Sequence, residues 1–141
     1  MLVAAPGALA TTLPGGPPVI GKLQCVVLDC PDVLQLAMFY QSLAGGRVNQ
    51  PDPRWAVSGD FSTLHTGRGL VFAFQRAKDY QAPQWPDPAR PQQFHLDFEV
   101  TDLDRAQEQV LSLGATLLHI DTRGWRIFAD PAGHPFCLLR G

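Results

Sequence analysis

In the segment QFHLDFEV, His95, Asp97 and Glu99 alternate with Phe94, Leu96, Phe98 and Val100. Successive side chains of an extended chain point to opposite faces, so an imidazole, two carboxylates and Gln93 share a face whose reverse is apolar. If that polar face lines a partly dry wall, the carboxylates push one another's pKa up and hold the imidazole cationic, which gives acid–base capacity. A strand with an ordinary solvated face would show the same pattern. Cys25, Cys30 and Cys137 form an odd set of thiols. The first two lie on one expected strand about 16 Å apart, beyond disulfide reach, so free thiols are expected, packing as small apolar residues or serving as ligands. His65 and His119 fall on expected strands and His134 in the turn PAGHP, where each reads as structural or exposed. Gly67-Arg68-Gly69 is too short for a phosphate loop and reads as a hairpin turn. Ser42 and Ser112 lie on expected helices without a nucleophile-elbow setting. Trp55, Trp85 and Trp125 could supply flat apolar walls. Trp125 reads first as a core residue, and Trp85 as packing on a sheet rim or a second subunit.

The elements that must position these groups come from a duplication. Residues 23–45, LQCVVLDCPDVLQLAMFYQSLAG, overlay residues 93–115, QFHLDFEVTDLDRAQEQVLSLGA, at a constant shift of 70. In each copy an apolar strand runs to Asp32 or Asp102 and an amphipathic helix of about a dozen residues follows. Its inward positions are Val33, Leu36, Tyr40 and Leu43, then Leu103, Ala106, Val110 and Leu113. Thr101, with Asp104 three residues on, is the expected N-cap of the second helix. Glycines close both helices, at Gly45-Gly46 and Gly114. Strand segments RVNQ, FSTLHT and LVFAFQ then answer ATLLHI, WRIFAD and FCLLR. Pairing Gly69 with Gly133 lowers the shift to 64, so the first copy carries about six extra residues around Asn49 to Trp55. The unit is strand, helix, three strands. A ferredoxin-like sandwich also repeats a strand-helix unit but needs fewer strands.

Composition bounds the rest. A chain of 141 residues with 45% hydrophobic content suits one domain. Eleven Lys and Arg against 13 Asp and Glu give a formal charge of −2, which offers a polyanion no electrostatic attraction, so nucleic acid is not an expected partner. No apolar run is long enough to span a membrane. Proline and glycine crowd residues 1–22, expected to be a flexible tail, and the lack of a basic n-region disfavours a secretory signal, so a cytoplasmic protein is expected. One domain is expected over 23–141, with module one at 23–76, module two at 93–141 and a proline-rich connector at 77–92.

The segments VVLDCPDVLQLAMFYQSLAG, HLDFEVTDLDRAQEQVLSLGA and FADPAGHPFCLL resemble the vicinal oxygen chelate superfamily. This is the glyoxalase, bleomycin-resistance and extradiol dioxygenase group, and the likeness is to its glyoxalase-like subset over about residues 22–141. The resemblance implies an α+β fold in which two βαβββ modules form a curled mixed sheet with one helix per module. It also implies a homodimer and, in many members, a divalent metal held by His or Gln and Glu from the first and fourth strands of each module. Carried onto this chain, those positions are Cys25, Ala73, His95 and Cys137. Cys137 stands where glutamate would, and alanine cannot ligate. The hard-cation set is therefore incomplete, whereas two thiolates and an imidazole would suit Zn²⁺.

The expectation is a small-molecule-binding protein without the usual metal centre, its pocket lined by Cys25, Ala73, Gln75, His95, Asp97, Trp125 and Cys137. The alternative is a glyoxalase-type, metal-dependent lyase or isomerase using Zn²⁺ on His95, Cys25 and Cys137. Both expectations place these residues around one shared hollow.

Overall fold

The computed structural model describes Gly16 and residues 18–141, so most of the expected tail lies outside the described residues. Two units follow in order: β1 (Val26–Cys30), α1 (Val33–Ala44), β2 (Arg47–Val48), β3 (Phe61–His65) and β4 (Val71–Arg76), then β5 (Leu96–Val100), α2 (Leu103–Ser112), β6 (Thr116–Ile120), β7 (Arg126–Ala129) and β8 (Pro135–Arg140). The α+β class and the paired βαβββ modules are as expected. Each unit builds a four-stranded mixed sheet, ordered β1-β4-β3-β2 and β5-β8-β7-β6, with β1 parallel to β4 and β5 parallel to β8. Among the described residues the two sheets do not hydrogen-bond to each other, so β1 and β5 each lie at the edge of its own sheet.

The duplication is visible in the element bounds. β1 overlays β5 and the start of α1 overlays that of α2 at a shift of 70, whereas β4 overlays β8 at 64. Between these registers stand the residues after β2, an irregular loop that reaches to Asp60. In α1 the Asp32 carboxylate accepts from the Gln35 amide at 3.0 Å, satisfying a donor that the first turn leaves free. The same device opens α2, where Asp102 accepts from the Arg105 amide at 3.1 Å. The cap is therefore Asp102 rather than Thr101. Only the aspartate occupies the position from which a side chain reaches the amide three residues on, and it keeps the 70-residue register with Asp32.

The helices differ in how deeply they pack. Val33, Leu36, Ala37, Phe39 and Tyr40 of α1 are buried, whereas in α2 the buried residue is Val110 and Leu113 is 40% exposed. The reason is in the core, where α1 serves both sheets. The Tyr40 ring stacks at 6.2 Å on Phe72 and 6.0 Å on Phe74 from the first sheet, and at 6.2 Å on Phe98 from the second. Phe39 meets Phe136 edge-on at 5.7 Å, and Phe136 stacks on Phe128 at 5.4 Å. One hydrophobic cluster thus runs through both modules.

Tyr40 also ties the modules by a polar bond. Its hydroxyl donates to Asp130 Oδ2 at 2.5 Å, while Asp130 Oδ1 accepts from the amides of Ala132 at 2.8 Å and His134 at 3.0 Å. Burial pushes the Asp130 carboxyl above the usual carboxylate range against the pull of these donors. From Ala77 to His95 the described residues form neither helix nor strand. Pro83, Pro86, Pro88 and Pro91 explain this, since proline lacks the amide that a ladder requires. Tyr80 anchors the segment by donating to the Ala132 carbonyl at 2.6 Å.

Two substitutions separate the contributions of Tyr40. Phe74→Ala opens a cavity beside its ring and should lower unfolding free energy by about 3–5 kcal/mol. Tyr40→Phe keeps the ring but strands a buried carboxylate oxygen, with an expected loss of about 1–3 kcal/mol. Urea unfolding measures both. A Tyr40→Phe chain as stable as the parent would show that the bond to Asp130 does not hold the modules.

Candidate functional site

On each sheet the face turned away from the shared core carries the residues with chemistry. In the second module Asp97, Cys137, Ile127 and His119 are cross-strand neighbours on that face. His95 Nε2 lies 3.5 Å from Asp97 Oδ1, and the two side chains are 47% and 45% exposed. Water screens such a pair, so the contact is weak, though both groups are free to meet a ligand. Cys137 is buried beside Asp97. Burial first, and the Asp97 carboxylate next, push its thiol up to about 11. It is therefore held as a protonated thiol and a poor nucleophile. Trp125 stands just before β7, half-buried and outside the core cluster, with the Arg123 guanidinium 3.9 Å from its ring. Arg123 is in turn held by Asp121 at 2.9 Å.

The first module's wall is built differently. Cys25 precedes β1, and Val27 and Asp29 follow on the exposed side, opposite Ala73 and Gln75 of β4. Ala73 is fully buried and Gln75 exposed. Thr63 faces Ala73 from β3, and beyond it His65 lies between Val71 and Arg47. Thr63 Oγ1 and His65 Nε2 are buried without a hydrogen-bond partner among the described residues. The loop between β2 and β3 closes on this wall. Arg54 donates to Asp52 at 2.6 Å and lies 4.3 Å over the Trp55 ring, whose edge meets His65 at 5.4 Å. The Arg54 guanidinium holds the Asp52 carboxyl down at about 2.

This grouping of Arg47, Arg54, Trp55 and His65 escaped the sequence reading, which took His65 as structural or exposed. The available signal was the six-residue excess of the first copy, because an insertion carrying Asp52, Arg54 and Trp55 must lie over something.

Among the described residues no group of three or more His, Cys, Asp or Glu is arranged to hold a metal. Cys25, His95 and Cys137 are thus not gathered into the expected Zn²⁺ triad. The modules join through their helix-facing aromatic residues, and among the described residues the two sheets are not hydrogen-bonded to each other. The donor set also fits a hard divalent cation poorly, since Ala73 offers nothing and Cys137 puts a soft thiol where carboxylate would serve.

A cleft of about 480 Å³ lies where the connector passes the edge strand β1, lined by Val27, Asp29, Lys78, Tyr80, Phe94 and His134 among others. His134 Nε2 is 2.6 Å from the Asp29 carbonyl. A carbonyl can only accept, so Nε2 carries the proton and donates. The turn of the second module is thereby fastened to the edge strand of the first. Trp85 lies 6.1 Å from His119, so the connector reaches the far rim of the second sheet.

Comparison with known proteins bears on what such walls are. No curated protein matches the sequence. Among solved structures, the fosfomycin resistance protein FosX from Mesorhizobium loti is similar with a TM-score of 0.62 at 17% identity, covering 87% of this chain and 94% of that one. A glyoxalase/bleomycin resistance/dioxygenase family enzyme from Burkholderia phytofirmans PsJN gives 0.61 at 18% identity, covering 85% and 98%. FosX from Listeria monocytogenes, complexed with Mn(II) and sulfate, gives 0.63 at 18% identity, covering 87% and 92%. At these identities the likeness is one of fold. The sequence profile described as a glyoxalase-like domain matches residues 25–139, nearly the whole of both modules, and the chain belongs to that family.

Proposed function

We propose that this protein binds a small organic molecule on its two polar walls and does so without a resident hard-cation centre. The carrying observation is the donor chemistry. Of the four positions that the resemblance assigns to metal, one is Ala73, which offers no donor, and two are thiols, Cys25 and Cys137, where a hard cation wants carboxylate or imidazole. What remains is suited to holding a ligand by shape, stacking and hydrogen bonds: Trp55 and Trp125, the His95–Asp97 pair, Gln75 and the unpartnered Thr63 hydroxyl. A FosX relative has been solved with Mn(II) and a dihydroxypropylphosphonic acid, which supports a small molecule as the partner.

In this reading the functional unit is a homodimer. β1 and β5 each lie at a sheet edge, Val27 is 44% exposed, and a second copy would set one module's wall against the other's. No helix among the described residues is long and apolar enough to cross a membrane. A net charge of −2 gives a polyanion no electrostatic attraction, which supports a small-molecule partner over nucleic acid. The competing reading, a metal-dependent lyase or isomerase using Cys25, His95 and Cys137, needs the dimer to bring those donors together.

Metal content decides between them. Protein purified without chelator should sediment as a dimer and carry less than about a tenth of an equivalent of any divalent metal. A stoichiometric metal lost in His95→Ala or Cys137→Ala would overturn the proposal. Thiol reactivity gives a second check. Cys30 and Cys137 are both pushed up to about 11, chiefly by burial. At pH 8 only about a thousandth of each is thiolate. A disulfide reagent should therefore titrate one fast thiol in the native protein, abolished by Cys25→Ser, and two slow ones. Fast reaction at Cys137 would show that its wall is more open and its thiol more ionised than the geometry gives.

A further inference from the structure

We propose that the rim of the first wall is an oxyanion subsite, in which Arg47, Arg54 and His65 receive the carboxylate, phosphate or phosphonate group of the ligand. The inference rests on the small-molecule reading above and names the chemical class of what is bound.

Three observations carry it. First, the strand pairing sets Arg47 and His65 side by side on the outer face, because Val48 turns inward opposite the buried Leu64. Second, the inserted loop delivers a further cation to the same place. Arg54 is carried by Trp55, and Trp55 is seated on His65. A cleft of about 480 Å³ opens there, with Arg47, Arg54, His65, Gln50 and the glycines of the β3–β4 turn in its lining and no acidic side chain among them. The nearby acid, Asp52, is already engaged by the Arg54 guanidinium. Arg47 makes no ion pair among the described residues. Third, His65 Nε2 is buried and unpartnered beside these cations. A buried ring nitrogen without a partner carries a desolvation penalty that an accepting oxygen would remove.

The geometry specifies the ligand group. The Arg47 guanidinium, in no ion pair among the described residues, presents a fork of paired N–H donors that matches a planar carboxylate or a tetrahedral phosphate, while Arg54, with Nε and Nη2 engaged by Asp52, keeps Nη1 for it. With no acceptor-only side chain in the cleft, a cationic or purely apolar group gains nothing from it. The chain is acidic overall, so this concentration of positive charge is local to the wall.

Calorimetric titration of the full-length protein with benzoate and with benzamide, its neutral counterpart of the same shape, tests the proposal, with inorganic phosphate as a second anion. Benzoate and phosphate should bind saturably, benzoate about tenfold or more tighter than benzamide, and the preference should shrink as salt rises. Arg47→Gln should remove most of that preference while leaving benzamide binding unchanged, and Arg47→Lys should retain part of it. Arg47 is exposed, so the variants are expected to fold, and melting curves check this; Arg54→Gln gives an independent arm. Equal binding of benzoate and benzamide, or variants that bind benzoate like the parent, would overturn the subsite and leave the small-molecule reading intact. So would an Arg47→Gln protein that loses its dimer rather than its anion preference. Failure of neutral and anionic compounds alike across a thermal-shift screen would sink both readings together.

Discussion

Tyr40 is the point at which two half-domains become one molecule. Its ring is shared by aromatic residues of both sheets and its hydroxyl reaches a carboxylate in the far turn. Each sheet has one apolar face to hide, and a single helix, α1, covers part of both. Everything outside this seam follows from it. The second helix is left with a shallow seat, the two sheets keep β1 and β5 at their edges, and the polar faces become outer walls. A buried ionisable group is tolerated because three donors converge on it, two of them backbone amides fixed by the turn.

The two walls have diverged in charge. The second presents Asp97, Glu99 and His95 with an Asp121–Arg123 pair, while the rim of the first gathers Arg47, His65 and the Asp52-paired Arg54. The backbone frames are close copies, so the difference comes from side chains and from one insertion. The residues added between β2 and β3 bring an arginine and a tryptophan over a strand that would otherwise be open. Binding chemistry in this molecule is thus set by a loop laid upon a rigid sheet, an arrangement that allows ligand preference to change without disturbing the core.

Much of this organisation can be read from the chain before it folds. The alternation in QFHLDFEV, the repeat at a shift of 70 and the glycines at the turns locate all eight strands and both helices. These features are local, and local pattern determines local structure. The N-cap of α2 was displaced by one residue because Thr101 and Asp102 are both good caps, and only the helix start distinguishes them. The placement of Cys25, His95 and Cys137 relative to one another is not legible in the chain for a different reason. The relative placement of the modules depends on contacts such as Phe39 with Phe136 and Tyr40 with Asp130, which no periodicity within either module encodes. The basic cluster was hidden likewise, since Arg47, Arg54 and His65 meet only through the path of an irregular loop.

The seam also carries a direction. Under the shift of 70 the place of Tyr40 in the second module is taken by Val110, and under the shift of 64 the place of Asp130 in the first is taken by Thr66. Valine cannot donate, and the Thr66 hydroxyl is spent on the Leu70 carbonyl. Two identical halves of either kind would therefore have no phenol-to-carboxylate lock at their junction. The halves are no longer interchangeable parts, and a lock of this kind belongs to the fused chain rather than to a single ancestral half.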